Sequence, residues 1–354
     1  MVLTRELLNP ELFPYANLKA FCLESPGWRK RWADLNYKTL RRMSAYERHF
    51  YERQIRDWGA DLLHAHFAVD ASYFIALKQR LRTPLVVSCY GYDVSSFPNR
   101  YFGLGWHYLQ PVWRWADLVL AMSNDMRTDL VNLGCPSDKI KVHYHGIDLS
   151  RFGYIERPLT ADKIRILFVG SLTERKGVNY VLQSFAQIAD QRPQVELRFV
   201  GEGPLRSKLE RSAQSLRLEN RLSFAGFVRH EHLRDELNAA HIFCHPSVTM
   251  PDHDKEGIPG TIVEAMATGL PVVTTRHAGI PEIVTDGEHG FVVSERDIAA
   301  ITRSLLVLID NPALRAQMGA KAAQRATEMG DAIRQTAELE SIYKEVLSIT
   351  SHHS

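Results

Sequence analysis

Short apolar runs rich in β-branched residues alternate with helix-permissive stretches from about residue 61 onward. Because this alternation repeats a strand–helix unit, it predicts an α/β fold with doubly wound parallel sheets. The predicted strands are residues 62–67, 84–89, 117–123, 140–144, 164–170, 195–200, 222–228, 241–247 and 270–275. A chain of 354 residues is long for one hydrophobic core and about right for two. We therefore predict two α/β domains in succession.

A polar stretch at residues 153–162, which contains Pro158, is the predicted linker between the two domains. The N-terminal domain then covers residues 1–152, and the C-terminal domain covers residues 163–330. Amphipathic helices close the chain, and the last of them occupies residues 331–354.

The composition is that of an ordinary globular protein, with 45% hydrophobic and 24% charged residues. A net charge of +2 argues neither for nor against nucleic acid, and no nucleic-acid partner is predicted. No run of eighteen apolar residues occurs and the N-terminus lacks the apolar core of a signal peptide, so we expect no membrane span and no secretion. Cys22, Cys89, Cys135 and Cys244 are too scattered for a zinc or redox motif. A reduced, cytoplasmic setting is expected.

The most informative stretch, residues 256–269, reads as a loop that opens into a helix of about three turns. Pro259 suits the first helical position, and Gly269 suits the left-handed residue after the last turn. Glu256 in the loop and Glu264 in the helix can face one ligand across the helix start, where free N–H groups favour a phosphate. Two acceptors beside an anion site suit a sugar nucleotide, although two glutamates alone are more often solvated surface.

The residues after this helix make the stretch distinctive, because residues 270–275 form an apolar strand and residues 279–284 read Gly-Ile-Pro-Glu-Ile-Val. With two glutamates separated by seven residues and the run Glu-Ala-Met-Ala, the chain resembles the retaining glycosyltransferases of family 4, most closely the colanic acid and amylovoran branch. The resemblance implies the GT-B fold, in which two Rossmann-like domains face each other across a cleft and the last helix returns to the N-terminal domain.

The resemblance also implies an activity. A hexosyltransferase of this kind moves a sugar from a nucleotide-diphosphate sugar to a glycan or lipid-linked acceptor, with retention at the anomeric carbon. The setting implied is the biosynthesis of exopolysaccharide or lipopolysaccharide. The family needs no metal ion and no cofactor besides the nucleotide-sugar co-substrate.

The turn after the strand at residues 164–170 reads Ser-Leu-Thr-Glu-Arg-Lys-Gly and places cations beside a glycine-rich backbone, which suits a diphosphate. By resemblance, Lys176 is the lysine that holds the diphosphate. Ser171 stands where the family usually has an arginine, and Arg175 can replace that charge from a different angle. The sequence therefore predicts a diphosphate site at this turn.

By the same resemblance, Glu256 positions the donor sugar, Glu264 holds the ribose, and the turn at Gly201 and Gly203 lies near the base. The predicted donor-binding residues are Gly170, Ser171, Arg175, Lys176, Gly201, Gly203, Glu256, Gly257, Ile258, Pro259, Gly260, Thr261 and Glu264. The predicted catalytic residues are Glu256, Lys176, Tyr90 and Asp93. None is assigned as a nucleophile, because the leaving phosphate can itself accept the acceptor's proton.

Several polar residues follow the predicted N-terminal strands, at the edge where open parallel sheets bind ligands. They are His66, Tyr90-Gly91-Tyr92-Asp93, Ser123 and His145-Gly146. A single histidine at such a place is more often structural, but the shared position of the set predicts one wall of the cleft, on the acceptor side. Tyr90 stands where the related branch usually has a histidine before Gly-Xaa-Asp.

The first 60 residues contain no clear apolar strand and no glycine-rich turn between a strand and a helix. Residues 12–15, Leu-Phe-Pro-Tyr, resemble a segment that follows such a unit in the family. We therefore expect the N-terminal domain to lack its opening strand, helix and second strand, with its first strand only at Leu62 and about four strands in all. Either the start codon is assigned downstream of the true one, or the chain is a truncated GT-B protein that binds a partner with little or no turnover.

Asp252, His253 and Asp254 resemble a metal-binding cluster, but a polar loop explains them and no metal site is predicted. Two rival GT-B enzymes are also disfavoured. An epimerase would ordinarily lack the two-glutamate helix, and a phosphorylase would need a lysine for pyridoxal phosphate.

Residues 28–56 form a basic, helix-permissive stretch with nine Arg or Lys against three acidic residues. Its interleaved aromatic residues are Trp28, Trp32, Tyr37, Phe50 and Tyr51. The pattern allows peripheral contact with an anionic membrane, at the inner face of the cell membrane. A solvated helix face whose aromatic residues lie in the core explains the same pattern equally well.

Overall fold

The chain forms two α/β halves, each built on a parallel sheet, and this confirms the predicted fold class. The computed structural model describes residues 1–4, 17–21, 27–40 and 43–351. Cys22 and the segment 12–15 lie outside these ranges. Among the described helices, none is long and apolar enough to cross a membrane.

A four-stranded parallel sheet is the centre of the N-terminal half. The strands of this half are β1 (Val2–Thr4), β2 (Leu18–Ala20), β3 (Leu63–His66), β4 (Leu85–Ser88), β5 (Leu118–Ala121) and β6 (Ile140–Val142). Its helices are α1 (Gly27–Leu40), α2 (Ala45–Trp58), α3 (Ala68–Leu81), α4 (Trp106–Trp115) and α5 (Asn124–Asn132), and a helical turn at Arg100–Gly103 precedes α4. Strands β3 to β6 lie side by side in chain order, all parallel.

Strands β1 and β2 form a separate two-stranded parallel ribbon, in which Val2 pairs with Leu18. The expectation that the first strand lies at Leu62 is therefore wrong. Each of these early strands spans three residues, too few to show the alternation by which a half-buried strand is recognised in a sequence. The sheet that begins at β3 has the four strands that were expected.

The C-terminal half contains a six-stranded parallel sheet. Its strands are β7 (Ile164–Val169), β8 (Val195–Val200), β9 (Leu222–Phe224), β10 (Ile242–His245), β11 (Val272–Thr275) and β12 (Gly290–Val293). The helices that follow β7 are α6 (Val178–Ala189), α7 (Arg206–Ser215), α8 (His230–Asn238), α9 (Gly260–Ala267), α10 (Ile298–Asp310), α11 (Pro312–Gly330) and α12 (Ala332–Ser351), with a helical turn at Ile280–Ile283.

The strand order of this sheet locates its ligand crevice. In space the strands lie in the order β12-β11-β10-β7-β8-β9. Read from the other edge, this is the 3-2-1-4-5-6 order of dinucleotide-binding sheets, which reverses between the first and fourth strands. Those two strands are β7 and β10, so their carboxyl ends mark the place where a ligand is expected.

Successive residues of β7 point to opposite faces of the C-terminal sheet. Phe168 joins Phe185 and Phe199 in the core on one face, whereas Leu167 joins Phe243 in the core on the other face. All five side chains are fully buried. The apolar run that predicted a buried strand therefore reflects two cores, one on each face of the sheet.

Helix α9, which carries Glu264, packs directly against α11. A side chain at Gly319 of α11 would collide with the Gly269 carbonyl, and a side chain at Gly330 would collide with Val263. Small residues at these two positions let the helices approach closely. Helix α11 thereby supports the short helix at the crevice.

The last helix, α12, crosses back to the N-terminal half. Its residues Ile342 and Val346 are buried against Val86 of β4 and Leu120 of β5. The two halves therefore share a small core on the side of the N-terminal sheet, in addition to the contacts across the crevice.

Candidate active site

The crevice outside β7 and β10 is lined by the turns that follow these two strands. After β7, one turn of 3-10 helix at Glu174–Lys176 ends at Gly177, whose φ of 72° lies in the left-handed region. A Cβ at Gly177 would collide with the Pro246 carbonyl after β10. Glycine therefore lets the two turns meet, and Arg175 and Lys176 are carried to the edge of the crevice.

Glu256 lies between the two cations of that turn. The Lys176 Nζ is 2.8 Å from Glu256 Oε2, and the Arg175 Nε is 3.4 Å from Glu256 Oε1. Arg175 also lies 3.3 Å from Asp254 Oδ2, and Ser171 is exposed on the same turn. Since Glu256 is only 8% exposed, its charge is balanced mainly by these cations. The structure thus brings together Glu256, Lys176 and Arg175, as the sequence predicted from separate stretches.

The Glu256 loop is anchored from behind by His277, a residue that sequence reasoning missed. The Glu256 backbone N–H donates to His277 Nε2 at 3.2 Å, and His277 Nδ1 lies 2.7 Å from Glu295 Oε1. Because Nε2 accepts, Nδ1 carries the proton and donates it to Glu295. Burial raises the pKa of Glu295, but hydrogen bonds from His277 and Thr249 outweigh burial and hold the pKa below its usual value. His277 follows the end of β11, and that strand-end position is the signal that could have found it.

His245, the last residue of β10, is another histidine to which the sequence assigned no role. It is fully buried, its ring stacks on Phe168 with centroids 5.2 Å apart, and its Nδ1 lies 3.1 Å from Ser247 Oγ. Its Nε2 faces Gly170 and has no hydrogen-bond partner in the part of the chain that the structure describes. Burial, and then the charge of Lys176, lower the pKa of His245 well below its usual value, so the ring is neutral.

Helix α9 begins at Gly260 and spans eight residues, with Pro259 in an extended conformation before it. The prediction of a three-turn helix that starts at Pro259 is therefore wrong in both respects. Glu264 Oε1 is 3.0 Å from His230 Nε2, whereas Glu264 Oε2 and Thr261 Oγ1 are buried without a partner among the described residues. A buried polar atom without a hydrogen bond costs about 1–3 kcal/mol, so two such atoms at the start of one helix call for an explanation.

The predicted turn at Gly201 and Gly203 packs on the turn after β7. A side chain at Gly201 would collide with the Gly170 carbonyl, and one at Gly203 would lie 2.6 Å from the Leu172 carbonyl. The Leu172 N–H also donates to the Glu202 carbonyl at 2.9 Å. These glycines let the two turns pack together, and their contact with a nucleobase stays a prediction.

Tyr90 and Gly91 of the N-terminal half form the opposite wall. Gly91 has a φ of 120°, and a Cβ there would lie 3.1 Å from the Lys255 carbonyl, next to Glu256. The Tyr90 hydroxyl lies 2.6 Å from His66 Nδ1, and the two rings stack at 5.8 Å. Burial raises the pKa of Tyr90 and lowers the pKa of His66, so both are neutral near pH 7. Tyr90, at the position where the resemblance implies a histidine, is thus hydrogen-bonded to an imidazole on the neighbouring strand.

Asp93 is fully buried beneath this wall. Its Oδ1 accepts hydrogen bonds from the N–H groups of Tyr90 and Gly91 at 3.1 and 3.2 Å, and its Oδ2 accepts from the Ala68 N–H at 2.9 Å. Burial raises the pKa of Asp93, and these hydrogen bonds oppose the shift. Asp93 therefore ties the turn after β4 to the start of α3, while its contact with a substrate stays a prediction.

Glu282 joins the two walls across the crevice. Its Oε2 accepts from the Asn124 N–H at 2.9 Å and from the Tyr144 hydroxyl at 2.8 Å, and its Oε1 accepts from the Asp125 N–H at 3.1 Å. The carboxylate thus caps the N-terminus of α5, where a negative charge is favourable. Lys255 adds a second link, since its Nζ lies 2.7 Å from Asp125 Oδ2. The sequence contained Glu282 within its motif but assigned it no role.

The remaining predicted residues lie around these walls. Ser123 caps the start of α5 through its side chain, and Gly146 packs closely on the start of α12. His145 is exposed, and Gly257 and Ile258 are half-buried in the loop before α9. Within the described ranges, no group of three or more His, Cys, Asp or Glu side chains is arranged to hold a metal ion.

Two family domains match almost end to end along the chain. Residues 23–151 match the domain described as glycosyltransferase family 4, and residues 155–325 match the domain described as glycosyl transferases group 1. The chain belongs to glycosyltransferase family 4. The resemblance that the glutamate stretch indicated is therefore confirmed.

Curated relatives of this family 4 chain include two bacterial glycosyltransferases. WcaL of Escherichia coli, assigned to colanic acid biosynthesis, is 33% identical over 250 residues, which cover 70% of this chain and 61% of WcaL. The amylovoran biosynthesis glycosyltransferase AmsK of Erwinia amylovora is 35% identical over 192 residues, which cover 54% of this chain and 47% of AmsK. The family 4 chain thus spans less than two thirds of either relative.

Solved structures share the architecture of the family 4 chain. HepE of Anabaena, in complex with UDP, has a TM-score of 0.74 at 22% identity, over 84% of this chain and 82% of HepE. Sucrose-phosphate synthase from Thermosynechococcus elongatus has a TM-score of 0.75 at 20% identity, over 89% of this chain and 80% of the synthase. These likenesses confirm the predicted two-domain GT-B fold.

Proposed function

We propose that this chain transfers a sugar from a nucleotide-diphosphate sugar to a hydroxyl of a glycan or lipid-linked acceptor, with retention, in surface polysaccharide biosynthesis. The observation that carries the proposal is the Lys176–Glu256 pair at the carboxyl ends of β7 and β10, opposite Tyr90. The cation suits a diphosphate and the carboxylate suits sugar hydroxyls. The assignments of WcaL and AmsK support the pathway, and the UDP bound to HepE supports the donor class.

Lys176 and Arg175 stabilise the leaving diphosphate in this proposal. Both cations now contact Glu256, and a bound diphosphate would compete for them. The start of α9 has no side-chain cap among the described residues, and the backbone N–H groups of a helix start favour the same charge. Because charge that develops on the diphosphate is met by groups already in place, the arrangement lowers the barrier without a metal ion. No cofactor is proposed besides the co-substrate.

The acceptor oxygen bonds to the anomeric carbon on the face that the diphosphate leaves. The bond from that carbon to the phosphate oxygen breaks, its electron pair stays on the diphosphate, and the acceptor's proton passes to a phosphate oxygen. Glu256 positions the sugar and does not attack it. Glu264 holds the ribose in this proposal, and its Oε2 has no hydrogen-bond partner among the described residues.

We place the enzyme in the cytoplasm, with residues 28–56 in peripheral contact with the inner face of the cell membrane. Trp28 and Trp32 on α1 are 57% and 53% exposed, whereas Tyr51 on α2 is fully buried. The stretch thus divides into an exposed aromatic part on α1 and a part on α2 that faces the core. An exposed aromatic face among basic residues supports membrane contact through α1.

Isothermal titration of the whole chain with a panel of nucleotide-sugars, beginning with UDP-glucose, tests the donor. A turnover assay with NMR of the anomeric proton then tests the transfer and its retention. Binding followed by transfer with a retained configuration is expected. Binding without turnover on any acceptor would favour a catalytically silent partner protein, and failure to bind any nucleotide-sugar would remove the proposal.

A chelator tests the proposed independence from metal. Activity should stay within about twofold in its presence, because cationic side chains and the helix start already balance the diphosphate. Complete loss of activity that magnesium or manganese restores would contradict this, and would direct attention to Asp252 and Asp254.

A further inference from the structure

One segment of the N-terminal half carries a run of exposed aromatic side chains. Residues 97–116 contain seven aromatic residues and two Arg but no Asp or Glu. The exposed apolar side chains of this segment, between 38% and 106% exposed, are Tyr101, Phe102, Leu104, Trp106, Tyr108 and Trp115. We call residues 100–108 the aromatic lip. A contiguous exposed apolar patch of this kind marks an interaction surface.

The backbone of the aromatic lip holds Phe102 outward. Tyr101 and Phe102 have φ values of 57° and 58°, in the left-handed region that side chains with a Cβ disfavour. The Gly105 N–H donates to the Arg100 carbonyl at 2.9 Å and closes the turn. An Arg100 guanidinium N–H donates to the Tyr92 hydroxyl at 2.6 Å and anchors the turn to the domain. Core packing does not explain a hydrogen-bonded turn that exposes Phe102 completely.

The aromatic lip lies at the mouth of the crevice. The Asn99 side-chain amide donates to the Asp252 carbonyl at 3.4 Å, in the loop just before Glu256. Helix α4, whose first three residues belong to the lip, packs on α3, and α3 packs on α2. The lip therefore belongs to the same helical layer as the basic stretch at residues 28–56.

We propose that the aromatic lip inserts into the interface of an anionic phospholipid bilayer, with Phe102 and Leu104 at the acyl chains and Arg100 and Arg114 at the headgroups. Tyr and Trp favour this depth because each ring is largely apolar with one polar atom. The arginines provide charge complementarity, and no acidic residue of the segment opposes it. This contact goes beyond the proposed function, because it is separate from α1 and does not depend on turnover.

A platform for the glycan acceptor is the main alternative for this surface. A sugar-binding surface combines an aromatic face with hydrogen-bonding groups placed beside it. At the tip of the lip, Phe102 and Leu104 have no polar side-chain atom, and Phe102 is wholly exposed. These two side chains fit the acyl region of a bilayer better than a hydrated glycan.

Sedimentation of the whole chain with vesicles tests the proposal, with phosphatidylcholine alone compared with phosphatidylcholine plus phosphatidylglycerol. We expect binding to the anionic vesicles, and a partition coefficient about tenfold lower for Phe102→Ser, because one buried phenyl ring is lost. Arg114→Gln should weaken binding and reduce its salt dependence. The matched control is Ile333→Ser on α12, where an equally apolar side chain is 82% exposed and vesicle binding should not change.

Unchanged vesicle binding by Phe102→Ser would overturn the proposal, and so would an equal loss in Ile333→Ser. A Phe102→Ser variant that binds vesicles normally but has a raised KM for a water-soluble glycan acceptor would assign the lip to the glycan instead. Circular dichroism and nucleotide affinity should be unchanged in Phe102→Ser, whose side chain is outside the core. Since vesicle binding is measured without donor or acceptor, its outcome is independent of whether the proposed transfer reaction is found.

Discussion

The two walls of the crevice differ in charge, because one carries ion pairs and the other carries neutral hydrogen-bonded groups. On the C-terminal wall, Lys176 and Arg175 both form ion pairs with Glu256, and a charged ligand could take the place of either partner. On the N-terminal wall, Tyr90 and His66 bond to each other as neutral groups. Under the proposed function, the diphosphate and the donor sugar contact the charged wall through Lys176 and Glu256, and the acceptor lies against the neutral wall.

The histidines behind the N-terminal wall explain why it stays neutral. Burial, and then the neighbouring His66, lower the pKa of His64 to about 4. His64 bonds through its two ring nitrogens to the hydroxyls of Tyr343 and Ser88. Imidazoles that are held neutral near pH 7 add hydrogen-bonding groups to this wall without adding charge.

The largest effect should come from removing the cation of the charged wall. Lys176→Ala is expected to lower turnover by about 10²–10³-fold, because a preorganised charge at the leaving group is lost. The control is Lys163→Ala, a mostly exposed lysine in the same half of the chain. Steady-state kinetics with the donor identified by titration measures the effect, and a loss below fivefold would mean that Arg175 or the helix start holds the diphosphate instead.

Substitutions of Glu264 and Glu256 should affect different quantities, nucleotide affinity for the first and turnover for the second. Glu264→Gln is expected to weaken nucleotide binding by about 10- to 150-fold, the cost of a charge-assisted hydrogen bond of about 1.5–3 kcal/mol. Glu256→Ala should chiefly lower turnover by a similar factor, because the proposed function places Glu256 at the sugar half of the donor. Calorimetry with free nucleotide and kinetics on both variants decide between them. Unchanged nucleotide affinity in Glu264→Gln would remove the ribose assignment.

Glu295 allows a test of how the charged wall is held in place. The pKa of Glu295 in the folded state lies below its usual value, so Glu295 stabilises the folded state above its unfolded-state pKa of about 4.3. This stabilisation is lost as the pH falls through the folded-state pKa. Glu295→Gln should lower the free energy of unfolding by about 2 kcal/mol at pH 7 and by much less at pH 3. Urea unfolding at both pH values measures this, with the mostly exposed Glu231→Gln as the control. A deficit of the same size at both pH values would rule out the linkage.

The smallest effect is expected on the neutral wall. Tyr90→His should raise turnover or leave it unchanged, because an imidazole can also carry the partial positive charge that a phenol cannot. Tyr90→Phe, which removes only the hydroxyl bonded to His66, should cost about fivefold, the equivalent of one neutral hydrogen bond of about 1 kcal/mol. Parallel kcat and KM measurements compare the two, and a collapse of activity in Tyr90→His would mean that the tyrosine is specifically required.

Prediction from the sequence was most successful where a local pattern was long enough to read. The strand at β7 and the turn with Lys176 were predicted because an apolar run followed by cations and glycine is a signal within about fifteen residues. Strands β1 and β2 were missed because three residues show no periodicity. The predicted strand 222–228 was too long, since only Leu222–Phe224 pairs with β8.

At the candidate site, too, residues with a local sequence signal were predicted and the others were missed. Lys176, Arg175 and Glu256 were identified, whereas His277 and Glu295 were not. Each of the first three lies in a stretch with its own chemical signature. His277 and Glu295 acquire their role only because they bond to each other behind the Glu256 loop, and nothing adjacent in the chain indicates that bond.

The sequence by itself determined the α/β class, the family and the residues that carry charge to the crevice, because periodicity, turn residues and motif spacing are local properties of a chain. Only the tertiary structure decided which groups meet. Lys176 and Glu256 are 80 residues apart and His66 and Tyr90 are 24 apart, and the order of strands in each sheet brings each pair together. Hydrogen bonds and ion pairs need atoms within about 3–4 Å, and for residues on different strands that distance is set by topology.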